Sequence, residues 1–142
     1  MDKIIELSQG TKINRALDVA TGGGHTAMRL CSFTEHVVAG DITGPMLKTA
    51  RQSLVDNGIS NVCYCQHDAH VLPFPDRTFD LVTCRIAPHH FSDVVCFLEE
   101  VVRVAQIGAM VGIIDNSTPV DPLAARHINA FERLRDKSGR AA

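Results

Sequence analysis

The sequence predicts one doubly wound α/β domain, and three observations carry that expectation. Short apolar runs rich in β-branched residues recur along the chain, segments with helical spacing separate them, and three consecutive glycines stand where the first run gives way to the first helix. Strands alternating with helices specify a mostly parallel sheet whose right-handed crossovers place helices on both faces. Ligands of such sheets bind outside the carboxyl ends of the strands, where the strand order reverses, so functional residues are sought just after each strand.

The candidate strands are residues 16–20, 36–40, 61–66, 79–84 and 109–114, each short enough to be buried on both faces. Helical spacing occupies 25–32, 45–56 and 92–105. Pro45 can open the second helix because its missing N–H would be unpaired there, and Gly58 can close it in a left-handed cap. Ser92 or Asp93 offers a capping oxygen to the third helix, whose apolar stripe is read as Val94, Val95, Leu98, Val101 and Val102. Residues 121–135 predict one more helix, beginning near Pro122, and no repeat or low-complexity linker interrupts the pattern.

A chain of 142 residues that is 45% apolar suits a single domain spanning 1–142 with a core of ordinary size. Lys and Arg number 14 against 16 Asp and Glu, scattered along the chain, so no basic stripe supports a nucleic-acid partner. The first ten residues carry no signal-peptide pattern, and no apolar run approaches the roughly twenty residues of a membrane span. Five cysteines, Cys31, Cys63, Cys65, Cys84 and Cys96, lie mostly inside apolar runs, which predicts reduced, buried thiols and a cytoplasmic protein. Cys63 and Cys65 would share one face of a strand, but a zinc site needs a second ligand pair, so no metal is expected.

After the first strand comes Asp18-Val19-Ala20-Thr21-Gly22-Gly23-Gly24-His25. Glycines here permit positive φ and remove the Cβ atoms that would hold a ligand off the main chain. Gly22-x-Gly24-x-x-Ala27 also satisfies the dinucleotide fingerprint, so the turn alone leaves a nicotinamide cofactor and an adenosyl cofactor open. The second strand ends at Asp41, where a carboxylate can accept from two ribose hydroxyls; the plainer alternative is that Asp41 only starts the turn before Gly44-Pro45. The third ends in Gln66-His67-Asp68-Ala69, where the Asp68 acceptor and the Ala69 N–H can read the amino group and ring nitrogen of an adenine edge.

The sequence resembles class I S-adenosylmethionine-dependent methyltransferases, in particular the ubiquinone and menaquinone biosynthesis C-methyltransferase branch. The resemblance rests on residues 17–24, 39–46, 66–75, 79–91 and 97–115, and includes the loop Leu72-Pro73-Phe74-Pro75-Asp76 followed by Phe79-Asp80-Leu81-Val82. It implies a Rossmann-like sheet of about five strands in the order 3-2-1-4-5. Asp18, Ala20, Gly22 and Gly24 would line the methionine part of S-adenosylmethionine, Asp41 would hold the ribose, Ile42 would pack on the adenine, and Asp68 with Ala69 would read its edge. Arg85 and Ile86 would lie near the amino-acid end and the transferable methyl. Two departures stand out: Ala105-Gln106-Ile107-Gly108 replaces a Lys-Pro-Gly-Gly-like turn, expected to alter only a surface turn, and the segments that relatives carry before the first strand and as a final antiparallel pair are not found. An apolar edge on the fifth strand would favour a homodimer.

Such an enzyme holds an acceptor in line with an already activated methyl, yielding S-adenosylhomocysteine, and needs no covalent nucleophile. His89 and His90 follow the fourth strand and are the candidates for a general base toward a small-molecule carbon or oxygen acceptor, against the plainer reading of one capping histidine and one facing solvent. Two rival functions remain: a non-catalytic cofactor-binding or interaction module, and a nicotinamide-dependent oxidoreductase, which lacks a visible second half-site.

Overall fold

The computed structural model describes Glu6 and residues 12–116, so the helix expected over 121–135 lies outside the described residues. The elements run β1 (Ile13–Val19), α1 (His25–Cys31), β2 (Thr34–Asp41), α2 (Gly44–Asp56), β3 (Val62–Gln66), β4 (Phe79–Arg85), a 3-10 turn (Pro88–His90), α3 (Val94–Val104) and β5 (Ala105–Ile114). Among the described residues the sheet has five strands in the order β3-β2-β1-β4-β5, and every neighbouring pair is parallel.

Alternating side chains divide the core between two faces. Ala16, Val37, Ala39 and Leu81 meet Ala27 and Leu30 of α1 and Ala50 and Leu54 of α2 on one face. Leu17, Val19, Val38, Val82 and Cys84 meet Phe97, Val101 and Val104 of α3 on the other. Each fully buried large aliphatic or aromatic side chain contributes about 1.5–3 kcal/mol relative to exposure. Because the central strands are covered on both sides, their apolar runs are nearly continuous, as expected from sequence.

The crossover from β3 to β4 contains no helix; residues 67–78 cover the sheet as a loop instead. Leu72 and Phe74 enter the core, and α3 fixes the loop backbone: Arg103 donates to the carbonyls of Leu72 and Phe74 at 2.9 and 2.8 Å and to Asp76 at 2.9 Å. Glu100 accepts from the Leu72 N–H at 2.7 Å. Pro73 and Pro75 cannot donate, and around them side chains of a distant helix supply the partners of the Leu72 N–H and of the Leu72 and Phe74 carbonyls.

Three expectations are corrected. The buried face of α3 is Phe97, Val101 and Val104, whereas Val94, Val95, Leu98 and Val102 are exposed; the apolar side opposite Glu99, Glu100 and Arg103 spans about half the helix, and period alone cannot choose which part of it is buried. Residues 105–108 are not a turn outside the sheet: β5 starts at Ala105, opposite Phe79, and the chain bulges before Met110 pairs with Leu81, with Gly108 at φ +83°. The thiols are not uniformly buried: Cys84 in the central β4 is buried, Cys31 and Cys96 on helices are half-buried, and on β3, the edge strand among the described residues, Cys65 is half-buried and Cys63 exposed. Asp93 proves to be the cap of α3, accepting from the Cys96 N–H at 2.9 Å, and Gly58 takes φ +70° after α2.

Gly40 explains how the β3 loop reaches the sheet. A Cβ there would lie 2.0 Å from Nε2 of His67, whose ring is buried and held edge-on by Phe74 at 5.7 Å. Gly40→Ala is therefore expected to lose about 1–3 kcal/mol in denaturant unfolding, and adding His67→Ala should recover part of that loss.

Candidate functional site

At the carboxyl ends of β1, β2, β3 and β4 lies a cavity of about 620 Å³. It is lined by Val19, Ala20, Gly22, Asp41, Ile42, Met46, His67, Asp68, Ala69, His70, Ala87, His90, Phe91 and Ser92. The crossovers on either side of β1 leave in opposite directions, toward α1 on one face and α3 on the other, and the crevice between them opens where the topology of the sheet requires. Apolar walls with few convergent polar groups and this volume suit a nucleoside-sized ligand.

The glycine turn is built around two carboxylates. Asp18, fully buried at the end of β1, accepts from the Thr21 hydroxyl at 2.6 Å and from the Thr83 hydroxyl at 2.7 Å, holding the turn from beneath. Asp41 accepts from the Gly22 N–H at 3.0 Å through one oxygen and from the Thr43 N–H and hydroxyl at 2.9 and 3.0 Å through the other. The Thr21 N–H donates to the Gly40 carbonyl at 2.8 Å, so the tips of β1 and β2 are fastened together. Ala20 and Gly22 both sit near φ +54°, and Ile86, just past β4, at +53°. Left-handed alanine and isoleucine are costly and cluster at sites where the surroundings impose them.

The glycines divide their work. A Cβ on Gly22 would meet no atom within 4 Å, so the main chain there is open to an occupant of the cavity. A Cβ on Gly24, which has φ +83°, would strike Leu54 at 2.6 Å; this glycine lets α2 pack against the start of α1.

Of the residues singled out from sequence, the structure brings Ala20, Gly22, Asp41, Ile42, Asp68, Ala69 and His90 to the cavity wall. Asp18 and Gly24 stand behind the turn, Arg85 is exposed at the end of β4, and His89 lies beside the cavity with its ring centroid 3.9 Å from that of His90. His67, His70, Met46, Phe91 and Ser92 line it without having been singled out for a ligand, although each follows a strand or opens a helix, the positions the fold class marks.

The site's charges are tied to histidines. Asp68 accepts from both the N–H and Nδ1 of His70, at 2.9 and 2.6 Å, and these bonds hold its carboxyl below the usual range. Nε2 of His70 accepts from the Asp93 N–H at 3.3 Å, joining the β3 loop to the cap of α3. Asp115 bonds the His89 N–H at 2.8 Å and Nδ1 at 2.6 Å. Burial works to raise the Asp115 carboxyl, but the bonds from His89 and the Asn116 N–H prevail and hold it low. Burial lowers His67, favouring the neutral ring, and its buried Nε2 has no hydrogen-bond partner among the described residues. No cluster of three or more metal-ligating side chains occurs among the described residues.

The methyltransferase domain family model matches residues 17–113, and the chain belongs to that family, the class I S-adenosylmethionine-dependent methyltransferases. It is 38% identical over 125 residues to the uncharacterized methyltransferase YcgJ of Bacillus subtilis (strain 168), a match that takes in 88% of this chain and 49% of that protein. The crystal structure of YcgJ superposes with a TM-score of 0.82 at 35% identity, covering 94% of this chain and 57% of that one. The ubiquinone/menaquinone biosynthesis C-methyltransferase UbiE of Ectopseudomonas mendocina (strain ymp) is 37% identical over 131 residues, 89% of this chain and 51% of UbiE. A SAM-dependent methyltransferase from Aquifex aeolicus matches with a TM-score of 0.74 at 28% identity, over 85% of this chain and 66% of that one. The chain thus spans about half the length of the curated relatives it matches.

Burial pushes the Asp18 carboxyl up to about 6 against the hydrogen bonds from Thr21 and Thr83. The folded value exceeds the unfolded one, so the native state binds the proton more tightly and stability falls as pH rises from about 4 to about 6. Asp18→Asn is expected to remove up to about 3 kcal/mol of that pH dependence, measured by urea unfolding across the interval.

Proposed function

We propose that this chain binds S-adenosylmethionine in the cavity at the strand tips and transfers its methyl group to a carbon or oxygen of a small-molecule acceptor, leaving S-adenosylhomocysteine. The observation that carries the reading is the Asp41 carboxylate poised between the open Gly22 main chain and Thr43 on the wall of a nucleoside-sized cavity. Three of about four acceptor positions on this carboxylate are used, which leaves room for a ribose hydroxyl. Ile42, 60% exposed beside it, offers the adenine an apolar face, and Asp68 and Ala69 read its edge. Ala20 and Gly22 hold the methionine part along the main chain, with Asp18 and Gly24 shaping the turn and the exposed Arg85 supplying positive charge toward the amino-acid end.

When bound, the sulfonium donor supplies a methyl group already activated for in-line attack. The residues of the chain bind, orient and exclude water, with Met46, Ala87 and Phe91 offering apolar walls beside His90. His89 and His90 are the candidates for handling the acceptor's proton. The likeness to UbiE, a C-methyltransferase by name, favours carbon over oxygen as the acceptor atom. Unbridged cysteines fit a cytoplasmic setting, and no described helix is long and apolar enough to cross a membrane. The β5 edge, which exposes Val111 and Ile113, suits a homodimer.

A second reading, a cofactor-holding interaction module without catalysis, draws on the outward stripe of Val95, Leu98 and Val102 on α3. Calorimetric titration separates the possibilities. S-adenosylmethionine and S-adenosylhomocysteine are expected to bind and NAD not to bind, with Asp41→Ala weakening the sulfur nucleosides by roughly 100-fold through loss of charge-assisted hydrogen bonds. Silence toward both sulfur nucleosides would defeat the reading; binding with no transfer to any acceptor would favour the module.

A further inference from the structure

Four imidazoles stand on the loops at the strand tips, and their surroundings give them different capacities. His67 is buried, with Nδ1 at 3.3 Å from the Asp68 carbonyl and Nε2 packed over Gly40, so it serves the packing of the β3 loop. His70 is spent: Nδ1 is held by Asp68 at 2.6 Å and Nε2 accepts from the Asp93 N–H at 3.3 Å, which makes this ring a tie between the β3 loop and α3. His90 lines the cavity, but neither ring nitrogen is oriented by a hydrogen bond among the described residues. His89 has both properties a proton acceptor needs. Asp115 grips it twice, through the backbone N–H at 2.8 Å and Nδ1 at 2.6 Å, which fixes the ring and places its proton on Nδ1. Nε2 then carries a free lone pair on a side chain one-third exposed, against the cavity-lining His90 at 3.9 Å between centroids.

Chain geometry makes this pairing specific. His89 lies in the 3-10 turn after β4 and Asp115 directly follows β5, so two parallel neighbours deliver the two halves to one place, against His90 of the cavity wall. The Ile86 N–H donates to the Ile114 carbonyl at 2.7 Å and locks the strand ends in register just before the pair. A carboxylate bonded to Nδ1 of a histidine with free Nε2 is the arrangement by which enzymes hold a general base in its useful tautomer.

We propose that His89 is the general base of this protein, held in its Nδ1-protonated form by Asp115 as a positioning residue, and that the acceptors are weak C–H or O–H acids presented past His90; this rests on the methyltransferase reading above. Nε2 of His89 takes the acceptor's proton. The electron pair left on the acceptor carbon or oxygen forms the new bond to the methyl carbon, the carbon–sulfur bonding pair stays with sulfur to give a neutral thioether, and the imidazolium returns its proton to water.

The test joins a structural and a kinetic readout on the full chain, wild type and the His89→Gln and Asp115→Asn variants. Nitrogen NMR of the ring is expected to show His89 as the single Nδ1–H tautomer, and Asp115→Asn should mix the tautomers. Calorimetry with S-adenosylhomocysteine should give the same affinity for all three proteins, which also reports that they fold. Methyl transfer at about pH 8.5 is then followed with two probes, phenol, which holds its proton, and 4-nitrophenol, which is largely ionised. Both variants should slow transfer to phenol by about 100-fold or more and transfer to 4-nitrophenol by only a few-fold, since an ionised acceptor needs no base. Equal slowing of both probes, unchanged rates, a mixed tautomer in the wild type, or binding of the nucleoside with transfer to neither probe would overturn the proposal. Failure of the wild type to bind the nucleoside would instead defeat the methyltransferase reading beneath it.

Discussion

The Asp41 carboxylate is the interaction on which the cavity depends. One oxygen takes the Gly22 N–H from the turn after β1, and the other takes the N–H and hydroxyl of Thr43, the cap of α2. Two loops that would otherwise leave the sheet independently are thereby set at one spacing, with the Thr21 to Gly40 hydrogen bond beneath them. Asp41 is 7% exposed as a residue, and burial of such a group is tolerable only because charge-assisted hydrogen bonds replace its water. In the proposed reading the same group that organises these loops also receives a ribose, so preorganisation and recognition would share a side chain.

Around this centre the fold assigns different duties to similar residues. Asp18 and Asp41 close neighbouring strands, yet Asp18 faces inward onto two threonines while Asp41 lies on the cavity wall. Gly22 leaves the main chain bare, Gly24 admits α2, and Gly40 admits His67. The carboxylates of Asp68 and Asp115 each hold a histidine by its N–H and Nδ1, but only the His89 ring keeps its far nitrogen free. The left-handed backbone at Ala20 and Ile86 flanks the crevice from β1 and β4, consistent with strain held by the surrounding sheet where a ligand would sit.

The sheet and much of the cavity wall were legible in the sequence because both are written locally. Buried parallel strands leave apolar runs, Pro45 and Gly58 punctuate α2, and Ala20, Gly22, Asp41, Asp68 and Ala69 follow strands within a few residues. Partnerships across long separations were not legible. Nothing near His89 in sequence announces Asp115, nothing near Leu72 and Phe74 announces Arg103, and the approach of His67 to Gly40 is visible only in three dimensions. The inner face of α3 was misread for a related reason: its apolar side is wider than the stripe that is buried, so the choice falls to tertiary packing around Phe97 and not to period.

Backbone NMR shifts on adding S-adenosylhomocysteine test the central claim most directly. The account requires the changes to concentrate at residues 20–24, 41–43 and 67–70, the three loops that meet at Asp41 and the cavity. Changes confined elsewhere, such as the exposed edge of β3 or the outer face of α3, or no change at saturating nucleoside, would contradict it.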